Sequence, residues 1–264
     1  MGLTIAEQCE EMRAAVADER VAMCYTPYDR SYEILSAEPG VAARDAAIDA
    51  GTFLSYRGWT IEYCPWSGDH LPIELGIEWE MVVERDFGAE PGTAIDMLQK
   101  LPPEMVSEEW WLKARHEDWW KERDEIYGLP DFSTAPFEAE AEVPADEPYK
   151  PYIDPNLPGM TRTKERPPHL CWASIDFFTG PRCMYAYLPH LREYGIRILS
   201  LDQPVDHQPV VIQAVTHCPW CGTVLPASLR KRWTDELDAM GLAPESDDIP
   251  ERLMSDAWWR EAEL

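Results

Sequence analysis

The sequence predicts an α+β fold built twice: two tandem copies of a small antiparallel sheet flanked by helices, with a zinc-knuckle turn in the second copy. Three observations predict it. Blocks of residues recur in the same order in two parts of the 264-residue chain. Short alternating apolar segments stand beside segments with helical spacing. The pair Cys218 and Cys221 sits in C-P-W-C-G, where two thiols three positions apart can grip one ion and Gly222 permits the tight turn.

The repeat sets the organisation. Cys9, Arg20, Tyr25, Pro27, Arg30, Tyr32 and Ile34 align with Cys171, Arg182, Tyr187, Pro189, Arg192, Tyr194 and Ile196. Cys64-Pro65-Trp66, Gly68, Leu71, Pro72, Leu75 and Trp79 align with Cys218-Pro219-Trp220, Gly222, Leu225, Pro226, Leu229 and Trp233. Pro102, Ser107, Trp110 and Trp111 align with Pro250, Ser255, Trp258 and Trp259. The expected division is a degenerate first copy at 1–128, a Pro/Glu-rich linker at 129–165 and a second copy at 166–264. Seven prolines and an alternating Glu-Ala run between the copies favour extended, solvated chain.

In chain order, 6–20 is rich in Ala, Glu and Met without Pro or Gly, and predicts a helix. Its counterpart at 171–178 is aromatic and β-branched and a weaker helix former. A short strand or turn follows around Tyr25 and Tyr187. Residues 194–199 alternate as a half-buried strand does, and 210–215 form the strand that enters the cysteine pair. The matching strand of the first copy is 53–63. After the cysteines a helix opens near Leu225 and stops at Gly241, with Leu229, Trp233, Leu237 and Met240 on one face. A last short helix holds Trp258 and Trp259, with Ser255 as N-cap or Asp256 as first-turn acid.

Two cysteines leave a zinc ion two ligands short. Cys171 and Cys183 are the candidates, giving a metal set of Cys171, Cys183, Cys218 and Cys221, with one Zn2+ per chain. His169, His190 and His217 compete for the fourth position. A redox C-x-x-C and buried free thiols are the alternatives. In the first copy Ser67 replaces Cys221, so a metal-free, core-packed copy is expected. A site of Cys9, Cys24, Cys64 and His70 is the rival.

Quoted as they stand, Tyr187-Leu-Pro189-His-Leu-Arg192-Glu193-Tyr194-Gly195-Ile196, Cys218-Pro-Trp-Cys221-Gly, Leu225-Pro-Ala-Ser228-Leu229-Arg230-x-x-Trp233 and the terminal Trp258-Trp259 resemble a group of small, single-copy bacterial proteins of uncharacterised function. The resemblance covers nearly all of 169–260. It implies a metal-binding fold and supplies no activity. That group carries paired cysteines near its start, where this chain has Leu170-Cys171 and Gln8-Cys9.

Composition limits the function. Hydrophobic residues make up 45%, with 12 Trp and 11 Tyr, which suffices for packed cores. A net charge of -26 repels nucleic-acid phosphates and anionic membranes, so neither is an expected partner. No stretch is long and apolar enough for a membrane span, and the N-terminus has neither the basic region nor the apolar core of a secretory leader. A cytoplasmic location follows as the expectation. No G-x-S-x-G, P-loop, H-E-x-x-H or Gly-rich dinucleotide turn occurs, and no catalytic residue is assigned. The expected function is a non-catalytic, zinc-stabilised acidic protein-binding module, an inhibitor or immunity-like factor for a basic partner. Acidic residues around Trp110, Trp111, Trp119 and Trp120 would suit such a surface if the rings are exposed. The alternative is a small zinc hydrolase, with Cys171, Cys218 and Cys221 as ligands and Asp176 or His217 as base, or a thiol redox protein.

Overall fold

A computed structural model describes residues 9–35, 59–72, 74–113, 144, 166–174, 184–199 and 210–264. The expected linker at 129–165 lies outside them except for Pro144, as do Cys183, Asp176, Trp119 and Trp120.

The fold is α+β, with two three-stranded antiparallel sheets among the described residues. The first half runs α1 (Glu10–Ala17), β1 (Met23–Thr26), β2 (Ser31–Ile34), β3 (Trp59–Thr60), α2 (Gly76–Phe87) and α3 (Glu109–Lys113). The second runs β4 (Tyr185–Leu188), β5 (Glu193–Ile198), β6 (Val211–Ala214), α4 (Arg230–Met240) and α5 (Ala257–Glu261). Strand order is β1-β2-β3 and β4-β5-β6. Tyr25 faces Tyr32 across β1 and β2, and Tyr187 faces Tyr194 across β4 and β5. Ile34 pairs with Trp59, and Ile196 with Gln213.

Local chemistry explains the elements. The Cys9 sulfur caps α1 by accepting the Met12 N–H at 3.3 Å, and the helix buries Met12 and Ala15, one turn apart. Helix α2 buries Trp79, Val82 and Val83, and α4 buries Trp233 and Leu237. The expected stop of α4 at Gly241 is a left-handed cap, φ 72°. Its expected start at Leu225 is not found. The helix begins at Arg230, because Leu225 is buried in the central core and the Leu229 N–H bonds the Leu191 carbonyl at 2.8 Å. Met240 is 41% exposed, beyond the buried face.

Three apolar cores result among the described residues. The central one is shared by both sheets and holds Met12, Ile34, Leu71, Met184, Ile196 and Trp220. A second gathers Leu75, Trp79, Val83, Leu98 and Trp111, and a third gathers Leu191, Trp233, Leu237, Leu253 and Trp259. The tryptophans carry the two outer cores through identical bonds. Trp79 Nε1 donates to the Met105 carbonyl and Trp233 Nε1 to that of Leu253, both at 2.7 Å. Trp111 and Trp259 donate to Pro27 and Pro189, again at 2.7 Å. Arg30 and Arg192 hold left-handed backbone, φ 57° and 51°, and lay their guanidinium groups over Trp111 and Trp259. Trp110 and Trp111 are 7% and 1% exposed, so they fill the core and offer no binding surface. Each ring has a backbone carbonyl for its N–H, which is what makes full burial of a tryptophan favourable.

The halves clasp one another reciprocally. The Pro219 carbonyl accepts the N–H groups of Glu62 and Tyr63, and the Pro65 carbonyl accepts those of Thr216 and His217, all at 2.9 Å. Trp66 Nε1 donates to Ala214 O at 3.0 Å, and Trp220 Nε1 to Thr60 O at 3.2 Å. The Ala22 N–H bonds Arg197 O at 2.9 Å, and the Met184 N–H bonds Leu35 O at 3.2 Å. Each bond has a partner with the halves exchanged, as in an isologous interface.

Candidate metal centre

The C-P-W-C-G turn follows β6. The Cys218 N–H bonds Thr223 O and the Gly222 N–H bonds Cys218 O, both at 2.9 Å, which folds the segment back and brings both thiols to one side. Gly222 has φ 67°, and a Cβ there would run into the Tyr63 ring of the first half. Only glycine meets both demands.

The other side of the site is the short segment before β4. Tyr194 on β5 fixes it, accepting the His169 N–H at 2.7 Å and donating to the His169 carbonyl at 3.2 Å. Two residues later the Cys171 N–H donates to Ser174 Oγ at 2.9 Å, and that hydroxyl donates back to Cys171 O. Four ligating atoms therefore converge. His169, Cys171, Cys218 and Cys221 are all buried and lie within 4.8 Å of one another. Cys171 Sγ is 3.8 Å from Cys218 Sγ, and Cys221 Sγ is 3.4 Å from His169 Nε2. This cluster can hold a metal ion.

Its electrostatics fit that capacity. Burial opposes charge on His169, yet its hydrogen bonds to Cys171 and Cys221 outweigh this and push the imidazole up to about 10. Hydrogen bonds from Cys171 and Cys218 hold Cys221 well below the usual thiol range, against its burial. Hydrogen bonding to Cys171 and Cys221, then burial, raises Cys218. Zinc takes cysteine as thiolate and histidine as neutral imidazole, so a divalent ion bound here would displace the protons that the cluster holds.

Of the residues singled out in the sequence, the structure brings Cys171, Cys218 and Cys221 together, with His169 as the fourth donor. Cys183 lies outside the described residues. His217 is turned to the clasp, its Nδ1 3.1 Å from Trp66 O and its ring filling the space beside Gly68. His190 packs at a tilt against Trp233, ring centroids 5.2 Å apart, and its burial lowers its pKa. In the first half Cys9 Sγ and Cys64 Sγ are 3.2 Å apart, while Cys24 Sγ lies 3.8 Å from Glu33 Oε2 and His70 Nδ1 2.6 Å from Leu71 O. Among the described residues only the second half assembles three or more candidate ligands. His169 was one of the three histidines that the sequence left in competition for the fourth position.

Residues 160–261 match the model of a family described as a domain of unknown function (DUF6980). The match takes in the whole four-residue cluster and less than half of the chain. Comparison with curated proteins and with solved structures gives no match. Among the described residues no helix is long and apolar enough to cross a membrane.

Proposed function

We propose that this chain is a non-catalytic, zinc-stabilised acidic protein that binds a basic protein partner. Its two halves are tandem copies of one unit, and its zinc is held by His169, Cys171, Cys218 and Cys221 in a zinc-knuckle turn of the second copy. The observation that carries the zinc reading is the spacing of the donors. Tetrahedral zinc with Zn–S bonds of about 2.3 Å sets its sulfurs ~3.8 Å apart. Cys171 and Cys218 stand at 3.8 Å, and the Cys221–His169 separation of 3.4 Å suits a shorter Zn–N bond. Three sulfurs and one imidazole complete four-coordination, so the ion has no open position for substrate. That favours a structural role over the hydrolase alternative.

The tandem reading rests on the equal registers, the equal tryptophan bonds and the reciprocal clasp. The first copy then runs to about 128 and the second from about 166. In the first copy Ser67 takes the place of Cys221, so one thiolate of the set is lost, and a carboxylate, Glu7, takes the place of His169. The partner reading rests on the charge of -26. It suits an inhibitor or immunity-like factor that covers a basic surface.

Metal analysis of the purified chain is expected to give one zinc per molecule and Cys221→Ser none. A chain that melts identically before and after chelation overturns the structural zinc. A partner recovered from native lysate is expected to be basic and to be released by high salt. Recovery indifferent to salt removes the electrostatic reading.

A further inference from the structure

Cys9 and Cys64 of the first half stand outside the metal cluster. Their sulfurs are 3.2 Å apart, with Cys64 buried and Cys9 partly exposed. Backbone amides point at both: Met12 N–H at Cys9 Sγ, 3.3 Å, and Ser67 N–H at Cys64 Sγ, 3.5 Å. Among the described residues no third ligating group joins them. Two thiols in contact, one of them reachable and neither in a metal-ligand cluster among the described residues, have the arrangement that thiol–disulfide exchange needs.

We propose that Cys9 and Cys64 form an oxidisable dithiol, closed to a disulfide by a small-molecule disulfide such as oxidised glutathione. The Cys9 thiolate attacks one sulfur of the oxidant, forming a mixed disulfide and expelling one thiolate. Cys64 attacks the Cys9 sulfur, breaks that mixed bond and expels the second. The protein dithiol is oxidised by two electrons, the oxidant is reduced to two thiols, and the two protein thiol protons end on them. The new bond ties the start of α1 to the turn that carries Pro65 and Trp66 into the second half. It fastens the same two segments that the metal cluster fastens in the second half. Burial, with the Cys64 contact, pushes the Cys9 thiol up to about 11, so its thiolate is scarce at neutral pH and the exchange speeds up as pH rises.

The inference stands on the geometry of this pair and not on the zinc of the second half. Its test is the full-length, zinc-loaded chain incubated with oxidised glutathione at mildly alkaline pH, then alkylated and mapped by mass spectrometry. The expected result is the loss of two hydrogens, a Cys9–Cys64 cross-linked peptide and reversal by dithiothreitol. In Cys9→Ser, whose serine keeps α1 capped, that cross-link is absent. A glutathione adduct that persists on Cys9 of the unsubstituted chain, a disulfide through any other cysteine, or no reaction overturns the proposal, whether or not the variant folds.

Discussion

The turn at Cys64–Gly68 and the turn at Cys218–Gly222 differ at one metal-donor position and hardly at all in backbone. In each, the glycine N–H bonds the first cysteine's carbonyl at 2.9 Å, and the glycine has φ 73° or 67°. Ser67 stands where Cys221 stands, and its hydroxyl accepts the Asp69 N–H at 3.3 Å. The first turn therefore keeps its shape without a third donor. Its own bonds and the reciprocal clasp hold it, with Pro65 and Trp66 bonded into the second half. Local hydrogen bonding specifies the turn. A metal held by His169, Cys171, Cys218 and Cys221 would add the link between the turn and the segment before the sheet.

The largest test of this contrast exchanges the two side chains. Cys221→Ser is expected to abolish zinc binding and much of the metal-coupled folding energy, which is on the order of 10 kcal/mol in small zinc domains. Thermal melting with metal analysis measures both. Loss of protection at the Glu62 and Tyr63 amides, read by hydrogen exchange, is expected to accompany it, since both donate to Pro219. Ser67→Cys is expected to change stability far less. Equal losses in the two variants would refute the assignment of metal to the second half.

A smaller effect sharpens what the halves share. Trp111→Phe and Trp259→Phe each remove one N–H bond to a proline carbonyl and weaken the matched arginine–ring contact, and Trp259→Phe also weakens that of the exposed Arg260. Each is expected to cost about 1–3 kcal/mol, with similar values for the two. Denaturant unfolding checks this. A clear inequality would show that the outer cores are not energetically equivalent.

The smallest effect lies where the halves differ again. Asp29 and Leu191 hold the same place after the Pro27 and Pro189 turns. Burial raises the Asp29 carboxyl to about 6, against the two Ser31 hydrogen bonds that lower it. The folded state thus binds this proton more tightly than the unfolded chain. The stability it contributes is full below the ordinary carboxyl value of 3.8 and is lost as pH rises through about 6. Asp29→Asn is expected to stabilise the chain by about 1–2 kcal/mol at neutral pH, with the gain vanishing towards pH 4. Urea melts at the two pH values decide it. A gain that persists at the lower pH would place its origin elsewhere.

Much of the fold was legible because its signals are local. The glycine stop of α4 and the glycine in each cysteine turn are set by backbone sterics, which a single segment carries. The aligned blocks likewise foretold equal strand registers. β5 was expected as a half-buried strand, and it forms but is buried from Glu193 to Arg197, because it is the middle strand of its sheet and lies in the central core. Other features were not legible, because they depend on what meets what. The exposure of Trp110 and Trp111 turned on whether Tyr28 and Pro27 would offer their carbonyls. The start of α4 turned on Leu225 being drawn into the central core.

The same division holds for the site. By itself the sequence determined the turn and its two thiols, since the C-P-W-C-G spacing and its glycine leave the backbone little choice, and it offered Cys171 and Cys183 as further candidates. Only the tertiary structure decided that His169 stands against Cys221, because Tyr194 on a distant strand pins its backbone there. Only the tertiary structure, too, inserted each turn into the opposite half. Those contacts span some 150 residues or more of chain, and they form only when two complementary surfaces are brought together.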